Sequence, residues 1–266
     1  MAKKIVKGIC IFLLILLLLF GILFIVLKIY ASKNNPVMFD TISDGMSVLR
    51  KKYAVKELDA GKYQDMRFYG IMDFHVDQYE VKNLGNLSVM TADMGFMQMV
   101  SFLITPFEKN APMCTLDFMY IFGTRKSYVE FYDLGADTNT DEYRAVQTKL
   151  KELVAGYSDI EEIPTKKNWY DNYLNVFMHK KLSSDDDERN KEMFLNVLKT
   201  YVDATQSLPV MSAEEQQKQV QNTQEYCDGL ISKGGVSTDV FKKALGEEKT
   251  HDFFNKVFFG TKHYPK

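Results

Sequence analysis

Asp117 is the residue whose type and setting point most directly to chemistry. It lies within TLDFMYIF (residues 115–122), an otherwise apolar run that predicts a central β-strand. A buried carboxyl group destabilises a fold unless it is hydrogen-bonded or protonated, and desolvation raises its pKa. In a pocket, such a group is a candidate proton donor. The alternative interpretation is a structural acid at a strand end, where backbone amides donate hydrogen bonds to it.

Other reactive residue types form no recognisable motif. The sequence holds no Gly-rich phosphate loop and no H-E-x-x-H, C-x-x-C or G-x-S-x-G pattern. Asp93 lies near a turn and Glu130 alternates outward, so we predict solvated positions for both. Cys114 and Cys227 lack the paired spacing of a zinc site or a disulfide framework, so we predict core thiols and no metal site. Each of the four histidines is expected at a surface or hydrogen-bonded position: His75, His179, His251 and His263.

Strands in the first half of the body must position Asp117. Apolar and alternating stretches follow one another from Met66 to Leu134, separated by Gly, Pro or charged turns, and such short connections favour an antiparallel meander. The stretches are MRFYGIMDF and HVDQYEVKN, which we predict to pair as a hairpin, then NLSVMTADMG, FMQMVSFLITP, MCTLDFMYIFG and RKSYVEFYDLG. The central strands are apolar on both faces, so helices must cover both sides of the sheet.

Helical patterns in the second half supply that cover. The helix predicted for 183–205 opens with a serine cap and an acidic first turn, which the helix dipole favours. The predicted helices are residues 141–157, 167–182, 183–205, 213–231 and 237–259. A strand meander followed by such helices predicts an α+β fold, a three-layer α/β/α sandwich with a central, largely antiparallel sheet.

The N-terminal segment predicts a membrane anchor. Residues 9–27 are an unbroken apolar run between Lys7 and Lys28, close to the length of about 20 residues that spans a bilayer. A cleaved signal peptide is the alternative, but the run exceeds a typical h-region and no clear cleavage site follows it. We therefore predict a single-pass membrane protein with an anchor at 1–30, a polar tether with a short helix at 31–64, and one domain at 65–266. Flanking lysines leave the orientation open.

Charge excludes one large class of function. The chain holds 33 basic and 35 acidic residues, and four of the lysines lie in or beside the apolar run, so the body is acidic. Nucleic-acid binding requires a basic face, so no nucleic-acid partner is expected.

The order of segments resembles the ferredoxin-dependent bilin reductases, enzymes that reduce linear tetrapyrroles such as biliverdin. The resemblance covers about residues 65–260. The stretches that carry it are FMQMVSFLITP followed by MCTLDFMYIFGTRKSYVEFYDL, then NWYDNYLNVFMHKKLSSDDDERNKEMFLNVLKTYVDA, SAEEQQKQVQNTQEYCDGLISKGG and VFKKALGEEKTHDFFNKVFF.

The resemblance implies roles for particular residues. Asp117 falls on the family's catalytic aspartate, which donates protons to the bound bilin. Ser101 stands where well-studied members have a histidine, and the family's asparagine falls on or near Gly234 or Gly235. Both Ser101 and Gly234 are thus candidate substrate-binding positions.

The function implied is reduction of a biliverdin-like tetrapyrrole by proton-coupled electron transfer. No cofactor would be bound; electrons would come from external reduced ferredoxin or a similar iron–sulfur donor. A basic patch would be needed to dock that acidic partner, and its candidates are Lys166, Lys167, Lys180 and Lys181. The alternative is a non-catalytic, membrane-tethered tetrapyrrole-binding protein on the same fold. A third possibility is a membrane-bound interaction domain with a filled core.

Overall fold

A computed structural model describes residues 2–235 and 238–264, with the backbone alone described for residues 2–8 and Cys10. It holds nine strands and six α-helices within these ranges. The strands are β1 (Val55–Leu58), β2 (Asp65–Phe68), β3 (Met72–Val81), β4 (Gly85–Asp93), β5 (Met97–Thr105), β6 (Met113–Ile121), β7 (Thr124–Tyr132), β8 (Glu161–Glu162) and β9 (Leu174–Ser183). The helices are α1 (Ala2–Arg50), α2 (Asp141–Ala155), α3 (Asp187–Gln206), α4 (Ala213–Lys233), α5 (Thr238–Leu245) and α6 (Glu247–Phe253).

One antiparallel sheet forms the middle layer, as predicted. Its order is β1-β3-β4-β5-β6-β7-β9-β8, and β2 also pairs with β3. Strands β3 to β7 form a meander, so β6 lies in the interior of the sheet with β5 and β7 on either side. The first hairpin turns at residues 69–71, earlier than the break predicted between Phe74 and His75.

Two apolar cores confirm the three-layer sandwich. Alternate strand residues point to opposite faces, so the odd and even positions of β6 join different cores. One face packs on α1, α2 and α3, and its core includes Phe102, Leu116, Phe118, Leu150 and Val197. The other face packs on α4, α5 and α6, and its core includes Met90, Leu103, Tyr132, Tyr226 and Phe253.

Side-chain caps fix the beginnings of two helices. The Thr140 hydroxyl accepts a hydrogen bond from the Tyr143 amide at the start of α2. Ser212 and Glu215 form a reciprocal capping box at the start of α4. The sequence prediction for both helices is confirmed within a few residues.

Residues 31–50 differ from the predicted tether, because they continue α1 into the domain. Ala31, Asn34, Met38 and Thr41 are buried on one stripe of the helix, and Asn34 Nδ2 donates to Gln98 Oε1 on β5 at 2.9 Å. Lys191 on α3 forms ion pairs with two aspartates of α1, Asp40 and Asp44. The apolar N-terminal half and the domain-packed half are thus one helix.

The helix predicted for 167–182 is wrong. Residues Trp169–Tyr173 form a short 3₁₀ turn, and Leu174–Ser183 is strand β9, paired with β7. Val176, Met178 and Leu182 alternate into the core on the α3 side. Lys180 is buried on the same side and interrupts the alternation of apolar and polar residues. The two-residue period typical of a strand was therefore not visible in the sequence.

One helix among the described residues is long and apolar enough to cross a bilayer. It is α1, whose apolar stretch is largely exposed and meets the domain near Leu27. A signal sequence or a soluble core helix can share this length and composition, although a core helix would be buried.

Candidate active site

Four neighbouring strands place Asp117 in a cross-strand row of polar residues. Ser101 on β5 lies directly opposite Asp117, Tyr128 on β7 lies opposite Asp117 on the other side, and His179 on β9 lies opposite Tyr128. Directly opposed residues share a face and approach within about 5 Å. The row therefore lies on the sheet face that packs on α4, α5 and α6.

The helices leave part of this face uncovered. On β6, Thr115, Asp117 and Met119 are half-buried, whereas the intervening residues that face α3 are fully buried. On β7, Lys126, Tyr128 and Glu130 repeat the pattern. The result is a half-open surface around Asp117 rather than a closed cavity.

Burial raises the pKa of Asp117 to about 7, by desolvation of the carboxylate. A hydrogen bond from Ser101 and the charge of His179 lower the pKa, while the charge of Glu130 raises it. Its Oδ1 atom is buried and has no hydrogen-bond partner. A carboxyl group with this pKa exists in both protonation states near neutrality and can both donate and regain a proton.

A histidine–carboxylate pair lies beside Asp117. His179 Nε2 lies 2.8 Å from Glu130 Oε1, and the Tyr132 hydroxyl donates to Glu130 Oε2 at 2.6 Å. His179 Nδ1 is buried and has no partner. Asp117 and His179 thus each present an unsatisfied polar atom on one sheet face, which a bound polar ligand can satisfy.

An aromatic cluster borders this pair. The Tyr132 ring lies 5.1 Å from Tyr226 on α4, and Trp169 lies 5.9 Å from Tyr226. Desolvation raises the pKa of Tyr170 to about 12, and Glu130 adds to the shift. The Tyr170 phenol therefore remains protonated near neutrality and can act as a hydrogen-bond donor. The aromatic cluster comprises Tyr132, Trp169, Tyr170, Tyr173 and Tyr226.

The structure brings two of the three predicted site residues together. Ser101 and Asp117 are directly paired across β5 and β6. Gly234 follows the end of α4 at φ +88°, where its carbonyl accepts a hydrogen bond from Trp169 Nε1 at 2.8 Å. Gly234 therefore adjoins the aromatic cluster, and its described contacts reach Trp169 and Asp239 but not Asp117. The chemical roles of all three residues remain predictions.

Sequence reasoning missed His179 and Glu130. Glu130 was expected on a solvated face, and His179 was one of four scattered histidines. Their pairing depends on the register of β7 with β9, because Tyr128 lies opposite His179 and Glu130 lies opposite Phe177. Assigning residues 174–183 as a strand next to β7 would have placed His179 close to Glu130.

The predicted basic patch does not form around Lys180. Lys180 is buried and pairs with Glu162, while Lys181 pairs with Glu161 at 2.9 Å. Lys166 and Lys167 are exposed and remain available for a partner. Within residues 2–235 and 238–264, no three His, Cys, Asp or Glu side chains converge as a metal site would require.

A solved structure shares the fold of this chain. The chain matches the crystal structure of phytochromobilin synthase from tomato in complex with biliverdin, with a TM-score of 0.68 and 14% sequence identity, over 84% of this chain and 83% of that one. No protein-family model matches the sequence, and no curated protein matches it either. At this identity the likeness shows the bilin reductase fold and carries no further conclusion by itself.

Proposed function

We propose that this chain is a membrane-anchored oxidoreductase that reduces a biliverdin-like linear tetrapyrrole on the half-open face around Asp117. One observation carries the proposal: a carboxyl group with a pKa of about 7 lies on an accessible face of a sheet with the bilin reductase fold. The solved neighbour is a complex with biliverdin, which makes a linear tetrapyrrole the first ligand to test.

The side chains on this face suit a large planar ligand with carboxylate groups. Partly buried methionines border it on the apolar side, including Met97 and Met119, and a thioether chain adapts its shape to a flat conjugated surface. Lys126 shares this face, two residues beyond the Asp117 row, where its ammonium group can pair with a propionate.

The proposed reduction needs equal numbers of protons and electrons. Reduction of one double bond adds two electrons and two protons to the tetrapyrrole. Two reduced ferredoxin-like molecules supply one electron each and are oxidised in turn. Asp117 donates the first proton to the one-electron-reduced ligand, regains a proton from solvent and donates again. His179 and Glu130, linked at 2.8 Å, form a polar path beside it for that return of protons.

A second candidate function is tetrapyrrole binding without reduction. By the resemblance to the bilin reductases, Ser101 falls on the family's histidine, and the family's asparagine falls on or near Gly234 or Gly235. Two polar groups of that catalytic set would then be replaced. In that case Asp117 would accept hydrogen bonds from pyrrole nitrogens and no electron donor would be required.

The first half of α1 is proposed as a retained anchor. Cleavage near Ala31 or Ser32 would cut α1 inside its buried stripe, just before the Asn34–Gln98 hydrogen bond. We expect the full chain to stay in the membrane pellet after a high-salt wash and to be released by detergent. A mature form that begins near residue 31 would contradict this.

Absorption spectroscopy with the detergent-solubilised full chain separates the candidates. Added biliverdin should shift its absorption on binding, and reduced plant-type ferredoxin should then bleach and shift the bound band. Asp117→Asn should bind biliverdin and reduce it at least roughly 100-fold more slowly, since a positioned proton donor contributes 10²–10⁴-fold. Asp73→Asn, at an exposed carboxylate of the same sheet, is the matched control and should react like the wild type.

The outcomes of this experiment distinguish the proposed reductase from a tetrapyrrole-binding protein and from an interaction domain. Binding with no reduction in the wild type would favour the binding protein. No binding at all would remove both and leave a membrane-bound interaction domain.

A further inference from the structure

Three hairpin turns at one end of the sheet expose large apolar side chains. The β2–β3, β4–β5 and β6–β7 turns lie at the same end because the strands form a meander. Of the large apolar residues beyond α1 that are exposed in the described chain, four of six lie on these turns. They are Tyr69, Ile71, Phe96 and Phe122, exposed by 64%, 71%, 47% and 38%.

Two of these aromatic residues also have unfavourable backbone conformations. Tyr69 has φ +53° and Phe122 has φ +50°, in the left-handed region that bulky side chains avoid. Among the described residues, the third non-glycine residue with positive φ is Asn83, on the β3–β4 turn at the opposite end, and asparagine tolerates this conformation well. Exposed aromatic side chains thus occupy turn positions where a polar residue would be more stable in water.

Helix α1 passes directly beside this end of the sheet. A Cβ atom on Gly95 of the β4–β5 turn would lie 3.6 Å from Leu27 Cδ1. The Tyr30 ring lies 5.1 Å from the Phe122 ring of the β6–β7 turn, in an edge-to-face arrangement. These contacts place the β4–β5 and β6–β7 turns beside Leu27 and Tyr30 of α1, where its apolar run ends.

The depth of the contacts matches the membrane interface. Residues 27–30 span about 4.5 Å along a helix axis. Each interfacial layer of a bilayer is about 5–8 Å thick, outside a hydrocarbon core of about 30 Å. If residues 9–27 span the core, the β4–β5 and β6–β7 turns lie at the level of the headgroups, where aromatic side chains are favoured.

The charges near the turns indicate whether the turns favour an anionic or a neutral lipid surface. The Ser184 amide donates to the Gly123 carbonyl at 2.8 Å, so the acidic start of α3 lies beside the β6–β7 turn. Asp185, Asp186 and Glu188 are exposed there. Lys28 on α1 and exposed Arg67 beside the β2–β3 turn add positive charge, so the local charge is mixed. A mixed charge gives anionic lipids no clear advantage, and apolar insertion into a neutral interface is the interaction that remains.

We propose that the β2–β3, β4–β5 and β6–β7 turns insert into the interface of a neutral phospholipid bilayer, so that the domain rests directly on the membrane beside its anchor. The proposal rests on the anchor proposed above but not on tetrapyrrole reduction. It gives the exposed aromatic residues and their strained conformations one common purpose.

Quenching by brominated lipids tests this contact. The full chain is reconstituted into phosphatidylcholine vesicles with bromine on the acyl chains, and tryptophan fluorescence is compared with that in unbrominated vesicles. Phe96→Trp and Ile71→Trp should be quenched at least threefold more than Lys82→Trp, the control on the β3–β4 turn at the opposite end. Trp169 is common to all variants and sets the background.

Sedimentation after an alkaline carbonate wash is measured on the same samples. Retention in vesicles with equal quenching at all three positions would overturn the turn contact and leave the anchor intact. Release from the vesicles would overturn the anchor and this proposal with it. Retention with selective quenching at residues 71 and 96 is the expected result.

Discussion

Asp117 combines an unpartnered, buried Oδ1 atom with a place on a half-open face. A carboxyl group in this setting destabilises the fold, because its charged form loses hydration without gaining a matching set of hydrogen bonds. An apolar residue would pack there at lower cost. The position is thus better explained by chemistry than by stability, as is usual where a strongly shifted pKa faces an opening.

Replacing Asp117 should change how stability depends on pH. The folded state raises the pKa of this acid from about 3.8 to about 7, so between these values it holds a proton that the unfolded chain releases. Stability should therefore fall as pH rises from 4 to 7, and Asp117→Asn should remove that fall. At pH 8 the variant should be more stable by roughly 1–3 kcal/mol.

Thermal unfolding of both proteins between pH 4 and pH 8 measures this effect. Asp73→Asn, at an exposed carboxylate, is the control and should follow the wild type. Parallel profiles for wild type and Asp117→Asn would show that the fold does not perturb this acid.

Tyr69 offers a test of backbone strain. Asparagine tolerates its φ of +53°, whereas a left-handed conformation costs other L-residues roughly 1–2 kcal/mol. Tyr69→Asn should therefore raise the free energy of unfolding by about 1 kcal/mol in detergent solution. Alanine lacks the side-chain amide that lets asparagine hydrogen-bond the local backbone in this conformation, so Tyr69→Ala should bring no such gain. Equal stability of the two variants, measured by thermal unfolding, would argue against strain.

Single residues were only partly predictable from the sequence. Asp117 stood out because a charge interrupts an apolar run, and that signal is local. Glu130 and His179 are 49 positions apart and meet only through the register of β7 with β9. No pattern within either segment contains that information.

Among the elements, α1 has two roles along its length. Residues 9–27 are an unbroken apolar run, and the second half of the helix packs on the sheet and on α3. Gly45 lies at a close approach of the two helices, since a Cβ atom there would lie 2.7 Å from Phe194 Cε1. The domain therefore depends on residues of the same helix that we propose as its anchor.

Gly45→Val should test this dependence. The added side chain overpacks the α1–α3 contact, and overpacking typically costs 1–3 kcal/mol. We expect the free energy of unfolding to fall by roughly 2 kcal/mol. Gly21→Val is the matched control, because nothing lies within 4 Å of that position, and it should leave stability unchanged. Chemical denaturation in detergent compares the three proteins. Equal stability would mean that α1 does not pack as described.

Elements with a clear period or cap were predictable, and those defined by long-range pairing were not. Strands β5 and β6 are apolar runs and β7 alternates between turns, so each was predicted near its observed bounds. Helix α2 has apolar residues at helical spacing before Gly156, and α4 follows Pro209 and Ser212, so both were also predicted near their observed bounds. The stripe of α1 at residues 31–41 includes Asn34 and Thr41, which read as polar tether rather than as a buried helix face. Strand β9 was assigned as helix because buried His179 and Lys180 break its apolar alternation.

At the scale of the whole molecule, the proposed membrane contact places the candidate site close to the bilayer surface. Asp117 precedes the last residue of β6, Ile121, by four positions, or about 14 Å along a strand. If the β6–β7 turn lies in the headgroup region, the half-open face stands just above the bilayer. A tetrapyrrole that partitions into the membrane would then be concentrated near the face that we propose binds it.

The pH dependence of single-turnover reduction tests the central claim most directly. Biliverdin bound to the full chain is mixed anaerobically with excess reduced ferredoxin, and loss of the bound absorption band is followed from pH 5 to pH 9. The donor must be protonated to act, so the wild-type rate should fall as pH rises through about 7, the pKa of Asp117. Asp117→Asn should bind biliverdin equally well and react at least roughly 100-fold more slowly at pH 6. Reduction by Asp117→Asn at the wild-type rate, or failure of the wild type to bind biliverdin, would contradict the proposed function.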